Sequence, residues 1–234
     1  MIEKNELDFK KLLHLAHAHN LGDSFLPFWA GMLSEVLCTI KPTTNILELG
    51  STNTKFLQFI RLAYPYHEGL GVILDVDNID ASEIKADDTC RFISESMLDS
   101  EERQFDIAFS HEIFSLVSNI HLHAETAWHH LAPDGVYYAA FGWHKDNPCS
   151  SRQAKLRSDR NLPFYLYQLD YIAATFYEMG FEVGYKRLAI PYFMVYDPQV
   201  VNRRFGGVAD MITSLQDHKV LFSFRKEKGE HGQR

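Results

Sequence analysis

The chain has 234 residues, of which 46% are hydrophobic and 23% are charged, a composition typical of a globular domain with one large core. The formal net charge of −8 argues against tight binding to nucleic acid or to an anionic membrane, because both require clustered lysine and arginine. Three scattered cysteines without a C-x-x-C pair predict neither a disulfide framework nor a zinc site, and no apolar run approaches the roughly 20 residues that span a bilayer. We therefore expect a soluble, cytoplasmic protein without a structural metal.

The N-terminal 41 residues are predicted to be largely helical. Leucine and alanine recur at helical spacing in the first segment, and Gly22 and Pro27 interrupt that pattern. A second apolar segment follows and ends before Pro42. We expect residues 1–41 to form a helical cap on the domain that follows.

From residue 45 onward, short apolar runs alternate with helix-like segments. The candidate strands lie at 45–49, 70–77, 90–94, 105–110, 136–143, 181–190 and 219–227, and the candidate helices at 53–64, 121–131 and 167–179. Residues 145–165 are interpreted as a polar loop or insertion, and the stretch before the last strand as an irregular connection. Apolar runs with little polar alternation are typical of parallel strands buried on both faces. The pattern therefore predicts a doubly wound α/β sheet, with its ligand site at the carboxyl ends of the strands.

The stretch from Asn45 to Phe56, NILELGSTNTKF, combines a strand, a turn and the start of a helix. Gly50 permits close approach of a ligand, Glu48 could accept a hydrogen bond from an ammonium group, and the helix N-terminus offers free N–H groups. The competing interpretation is that Thr52 or Asn53 only caps the helix. This stretch alone leaves both interpretations open.

The next candidate strand, LGVILDVD, ends in acidic residues. Asp75 lies about 25 residues beyond Gly50, an order that suits recognition of ribose hydroxyls by a carboxylate. Asp77 is a competitor for this role. In the alternative interpretation, both acids only solubilise the end of the strand.

The order of these segments resembles the motifs of class I S-adenosylmethionine-dependent methyltransferases. The matching segments are ILELG (46–50), ILD (73–75), SESM (94–97), FDIAFSHE (105–112), LAPDGV (131–136) and the helix-Gly-Phe-Glu of 167–182. The resemblance covers roughly residues 45–190, and KVLFSF is similar to the antiparallel last strand of that family. It implies a Rossmann-like, seven-stranded, mostly parallel sheet within a single domain spanning residues 1–234. The expected parts are the helical cap, a core at 42–228 with cap insertions near 145–168 and 191–217, and a tail at 229–234.

The resemblance also implies a cofactor, S-adenosylmethionine, with S-adenosylhomocysteine as its product. The residues at the matching positions are Glu48, Gly50, Ser51 and Thr52 around the methionine portion, Asp75 at the ribose, Val76, Ser96 and Met97 beside the adenine, and Ser110 and His111 facing the sulfonium and the acceptor. Thr52, Thr54 and Ser96 depart from the family, which has glycines at the first two positions and commonly an acid at the third. These departures either weaken cofactor binding or replace backbone contacts with hydroxyl hydrogen bonds.

The acceptor side is predicted from residues near the ends of the later strands. His144 and His111 are candidate general bases, because the pKa of histidine lies near working pH. Candidate substrate-binding residues are Trp29, Trp143, Arg152, Arg157 and Tyr165. Arginine can hold a carboxylate or phosphate with two hydrogen bonds, although a solvated loop and an aromatic core are the competing interpretations.

The resulting hypothesis is an S-adenosylmethionine-dependent methyltransferase that acts on a small molecule and binds neither nucleic acid nor membrane. The alternative is a catalytically inactive methyltransferase-like binding or regulatory module. A nicotinamide-dependent dehydrogenase fits less well, because the sequence contains neither G-x-G-x-x-G nor Tyr-x-x-x-Lys.

Overall fold

The computed structural model describes residues 8–19, 21, 25–36, 40–51, 53–74, 90–189, 194 and 196–227. A seven-stranded sheet with the order β3-β2-β1-β4-β5-β7-β6 organises them. Its strands are β1 (Asn45–Leu49), β2 (Glu68–Ile73), β3 (Cys90–Ser94), β4 (Phe105–His111), β5 (Leu131–Phe141), β6 (Phe181–Arg187) and β7 (Val220–Lys226). Only β7, which lies between β5 and β6, runs antiparallel to its neighbours. The expected seven-stranded sheet with an antiparallel last strand is confirmed.

Helices cover both faces of this sheet. They are α1 (Phe9–Ala18), α2 (Leu26–Ser34), α3 (Lys55–Ala63), α4 (Ile120–His130), α5 (Ser150–Ser158), α6 (Leu169–Glu178), α7 (Pro198–Arg204) and α8 (Val208–Ile212). A 3₁₀ turn at Glu95–Ser100 follows β3, and a π turn at Thr213–Asp217 follows α8.

Two apolar clusters lie on opposite faces of the sheet. One gathers α1, α2 and α3, and the other gathers α4 and α6. On β1, Ile46 belongs to the first cluster and its neighbour Leu47 to the second, and both are fully buried. Burial on both faces explains why the strands read as continuous apolar runs rather than as alternating patterns.

The strand order reverses between β1 and β4, which pair with each other in the middle of the sheet. Chain connections leave these two strands in opposite directions, so a crevice opens above their carboxyl ends. Ligands bind at this point in open α/β sheets.

Two expectations about irregular segments are wrong. Residues 145–165 contain α5, whose polar sequence SSRQAKLRS has no apolar stripe to indicate a helix. The connection before β7 contains α7 and α8, and α7 begins with a helix-start signal that the sequence analysis missed. Asp197 accepts from the backbone N–H groups of Gln199 and Val200, and Pro198 occupies the first turn.

The strand predicted at 70–77 ends earlier, because β2 stops at Ile73. Asp75, Val76 and Asp77 lie outside the described residues, as does Thr52. The end of α6 follows expectation: Gly180 has φ +107°, the left-handed conformation that terminates helices.

Candidate active site

Two adjoining cavities occupy the crevice at the carboxyl edge of the sheet. The first cavity, of about 350 Å³, lies over the ends of β1, β4 and β5 and is covered by residues of α2, α5 and α7. The second cavity, of about 300 Å³, lies beside the ends of β1 and β2, the 3₁₀ turn and the start of α4. Ile113 and Leu116, from the loop after β4, line both cavities and form the wall between them.

Gly50 lies under this wall at the end of β1. Its φ is +81°, and a Cβ at this position would lie 3.1 Å from Cδ1 of Ile113. Both the backbone conformation and the close contact exclude a larger residue without strain. Glycine is therefore required at this position. The group that approaches it closely in this structure is the side chain of Ile113.

Glu48 is buried at the same edge, with its carboxyl oriented toward Ser51. The Ser51 hydroxyl lies 2.9 Å from Oε2 of Glu48 and 3.1 Å from the carbonyl oxygen of Asn53. One hydroxyl proton can serve only one of these oxygens, and a protonated Glu48 satisfies the other contact by donating to Ser51. Burial raises the pKa of Glu48 to about 8, with the Ser51 hydrogen bond partly opposing the shift.

The turn after β1 also contains a side-chain contact of the kind expected if Thr52 or Asn53 caps the helix. Oδ1 of Asn53 accepts from the backbone N–H of Lys55, 2.8 Å away, at the start of α3. The N–H groups of Gly50 and Ser51 both donate to the carbonyl of Val72 on β2. These two N–H groups are therefore occupied by the sheet and are not free to bind a ligand.

A charged cluster that the sequence analysis missed lies at the end of β4. Nζ of Lys219 lies 2.8 Å from Nε2 of His111, contacts Oε1 of Glu112 and lies 4.3 Å above the ring of Phe28. Lys219 is 1% exposed, and burial lowers the pKa of its ammonium, an effect that the pairing with Glu112 only partly offsets. No local sequence signal indicates the cluster, because Lys219 is more than a hundred residues from its partners in the chain.

This cluster determines the protonation state of His111. Burial lowers the pKa of His111 well below 6.5, and the charge of Lys219 lowers it further. Because the Lys219 ammonium donates to Nε2, the neutral imidazole has its proton on Nδ1. His111 lines the first cavity and stacks on Phe28, with ring centroids 5.5 Å apart. It can therefore donate a hydrogen bond to a ligand, whereas action as a base requires Lys219 to release Nε2.

Glu112, which follows β4, is linked by its carboxylate to the end of β5 and to the start of β7. Its φ of +58° is uncommon for a residue other than glycine, and its Oε2 accepts from the N–H groups of Gly142 and Trp143. Through Lys219 the same carboxylate is tied to the start of β7. The strained backbone at the floor of the first cavity is thus held by several contacts.

His144 and Ser110 are buried and are not among the residues that line the two cavities. His144 is 1% exposed, and its Nε2 donates to the carbonyl of His218 at 2.9 Å. Burial lowers the pKa of His144, and the ring lies outside the lining of both cavities. Ser110 bonds Tyr137, which in turn bonds His123, in a buried polar chain between β4, β5 and α4. Neither residue belongs to the lining of the two cavities, and the contacts described here join neighbouring elements of the fold.

Other acceptor-side candidates divide into two groups. Trp29, Trp143 and Arg157 line the first cavity, as the sequence analysis expects of substrate-binding residues. Arg152 instead donates to the carbonyl of Asn202, and Tyr165 lies outside the cavity lining. The lining also includes Arg160, from the same arginine-bearing segment as Arg152 and Arg157, and the structure adds Arg203 and Arg204.

The second cavity contains one of the three residues expected beside an adenine, of which Val76 lies outside the described residues. Ser96 lines it, whereas Met97 is 55% exposed and does not. The remaining walls combine apolar residues, such as Leu49 and Val72, with polar ones, such as Asp99 and Asn119. A flat, mostly apolar ring with a few polar atoms fits these walls.

Within the described ranges, no three histidine, cysteine or acidic side chains are grouped so as to hold a metal ion. None of the helices in that part of the chain combines the length and apolar character needed to cross a membrane.

No protein-family model matches the chain, and a search of curated proteins gives no significant match. Solved structures do match. One is a complex of the Haloferax volcanii Trm112 methyltransferase activator with a candidate methyltransferase, at 15% identity and a TM-score of 0.72, covering 94% of this chain and 98% of that one. Phosphoethanolamine N-methyltransferase 2 of Haemonchus contortus, in complex with S-adenosyl-L-methionine, matches at 11% identity and a TM-score of 0.63, covering 97% of this chain and 59% of that one.

Geranyl diphosphate C-methyltransferase of Streptomyces coelicolor A3(2), in complex with Mg²⁺, geranyl diphosphate and S-adenosyl-L-homocysteine, matches at 15% identity and a TM-score of 0.59. The match covers 96% of this chain and 86% of that one. These similarities agree with the strand order and the antiparallel β7. The chain has the Rossmann-like fold of class I S-adenosylmethionine-dependent methyltransferases.

Proposed function

We propose that this protein is an S-adenosylmethionine-dependent methyltransferase that acts on a small-molecule acceptor. The observation that carries the proposal is the pair of adjoining cavities at the point where the strand order reverses. Solved structures with the same fold contain S-adenosylmethionine or S-adenosylhomocysteine, which supports the choice of cofactor.

The residues present fit such a cofactor at both ends. The second cavity, with Leu49, Val72 and Ser96, would hold the adenine, and Asp75 remains our proposal for the ribose contact. Glu48 and Gly50 lie at the edge of the first cavity, where a buried carboxyl can pair with the ammonium of the methionine portion. The wall made by Ile113 must shift for one molecule to extend into both cavities.

The bound cofactor supplies a methyl group on a sulfonium centre, which is already activated for displacement. The chain's own contribution is to orient the acceptor and exclude water, and these effects account for much of the rate in such reactions. Trp29, Trp143 and Phe25 provide apolar walls for this purpose. His111 would donate its Nδ1–H to an oxygen of the acceptor and fix its orientation.

Calorimetric titration with S-adenosylmethionine and S-adenosylhomocysteine tests the proposal. We expect one saturable site for each ligand. We also expect proton release, seen as a dependence of the heat on the buffer, because Glu48 must lose its proton to pair with an ammonium. Absence of binding by folded protein would exclude the enzyme and favour the alternative of an inactive binding module.

A further inference from the structure

Four arginines converge on the roof of the first cavity. Arg157 lies on α5, Arg160 lies in the turn after it, and Arg203 and Arg204 end α7. The chain contains eleven arginines and carries a net charge of −8. A third of its guanidinium groups therefore surround one cavity of an otherwise acidic protein.

Contacts between α5 and α7 hold these arginines over the same space. Nε2 of Gln153 donates to the carbonyl of Arg204 at 2.9 Å, and Arg152 donates to the carbonyl of Asn202 at 3.2 Å. On α5, Nε of Arg157 donates to the carbonyl of Pro163 at 2.9 Å, which fixes the base of its guanidinium group. The site is thus partly pre-organised before any ligand binds.

The guanidinium groups have no acidic partners in the part of the chain that the structure describes. Among the described residues, none of the four arginines forms an ion pair with a carboxylate. Arg157 is half-buried, while Arg160, Arg203 and Arg204 are exposed at the rim. Their donors are therefore available to an anion that enters the cavity.

Acidic groups in the same cavity do not cancel this positive charge. Burial raises the pKa of Glu48 to about 8, so this carboxyl is mostly neutral at pH 7. Glu112 is already neutralised by Lys219. The electrostatic field in the first cavity is therefore dominated by the arginines.

We propose that the first cavity binds a small molecule bearing a phosphate or diphosphate group, with Arg157, Arg203 and Arg204 as its principal contacts. A single carboxylate has one negative charge and pairs with one guanidinium, whereas a phosphate group has up to two charges and three acceptor oxygens for several arginines. The aromatic walls formed by Trp29 and Trp143 suit the organic part of such a molecule. The identification of this molecule as the methyl acceptor rests on the proposed function.

Inorganic pyrophosphate is the probe, because it contains the proposed group alone and S-adenosylmethionine contains no phosphate. Calorimetric titration at low ionic strength should show one saturable site. The double variant Arg203→Gln/Arg204→Gln should weaken binding by about tenfold or more, because it removes charged hydrogen bonds. Arg157→Gln should weaken it as well. The control Arg225→Gln removes a guanidinium paired with Glu182 at the opposite edge of the sheet and should leave binding unchanged.

Succinate, titrated in parallel, distinguishes a phosphate site from a general anion site. Equal affinity for succinate and pyrophosphate, or equal pyrophosphate affinity in the wild type and the double variant, would overturn the proposal. Thermal unfolding of each variant establishes that it is folded, and the exposure of Arg203 and Arg204 makes their replacement mild.

Titration of the same variants with S-adenosylmethionine separates the two proposals. Normal cofactor binding without any pyrophosphate site would leave the methyltransferase proposal standing and refute the anion site. Pyrophosphate binding without cofactor binding would support the anion site and refute the methyltransferase proposal. Loss of cofactor affinity in an arginine variant that still binds pyrophosphate would place that arginine at the cofactor carboxylate and contradict its assignment here.

Discussion

Glu48 provides the most direct test of the electrostatics of this site. The residue is 8% exposed, and burial raises the pKa of its carboxyl from 4.5 to about 8. Between these two values the folded protein binds more protons than the unfolded chain. Stability from this residue is therefore present at low pH and is lost as the pH rises toward 8.

The magnitude follows from the two pKa values. Between about pH 5.5 and about pH 8, ionisation of Glu48 in the unfolded chain should reduce the free energy of unfolding by about 3 kcal/mol. The substitution Glu48→Gln keeps the shape and a donor for Ser51 but removes the titration. The variant should therefore be more stable than the wild type by a margin that grows by about 3 kcal/mol over this range.

Urea denaturation of both proteins at several pH values measures this margin. Buried histidines have the opposite dependence: burial lowers the pKa of His123 to about 4, so the unfolded chain takes up a proton there as the pH falls below 6.5. This contribution is common to the wild type and the variant and cancels in the difference. Glu125→Gln, an exposed substitution on α4, serves as a control that should show no growing margin. A constant difference between Glu48→Gln and the wild type would refute a buried, protonated Glu48.

Three further predictions concern other parts of the site. Lys219→Met should destabilise the protein by about 3 kcal/mol or more in urea denaturation, because it leaves the Glu112 carboxylate in the interior without its partner; a loss within about 0.5 kcal/mol would contradict a paired cluster. Gly50→Ala should cost about 1–3 kcal/mol through its φ of +81° and the contact with Ile113. Gly207→Ala, where a Cβ would meet nothing within 4 Å, is its control, and equal losses would argue against strain at Gly50. Asp75→Ala should weaken binding of S-adenosylmethionine by about 1–3 kcal/mol in calorimetry. An unchanged affinity would mean that another residue contacts the ribose, and Asp77 would be tested next.

The strands and most of the helices could be predicted from the sequence because their signals are local. A short apolar run such as FDIAFSH is typical of an interior strand buried on both faces, and a glycine after α6 indicates the end of that helix. The resemblance then supplied the position of the antiparallel last strand. Where the local signal is weak, as in the polar helix α5, the prediction was wrong.

The sequence alone also located the crevice, through Glu48, Gly50 and His111 at the ends of β1 and β4. It could not determine their chemical states. Glu48 is predicted to be a carboxylate by its residue type, but burial beside Ser51 favours its protonated form. His111 was a candidate base until Lys219, which is 108 residues away in sequence, was found to occupy its Nε2.

Local sequence thus determined which segments become strands and where the chain turns, because periodicity and turn chemistry act over a few residues. Tertiary structure alone decided which side chains share a cavity, which acid is neutral and which lysine is paired. The pKa of a group depends on burial and on charges within several ångströms, and these neighbours come from distant parts of the chain. The four arginines of the first cavity come from segments interpreted as irregular, and only the packing of α5 against α7 brings them together.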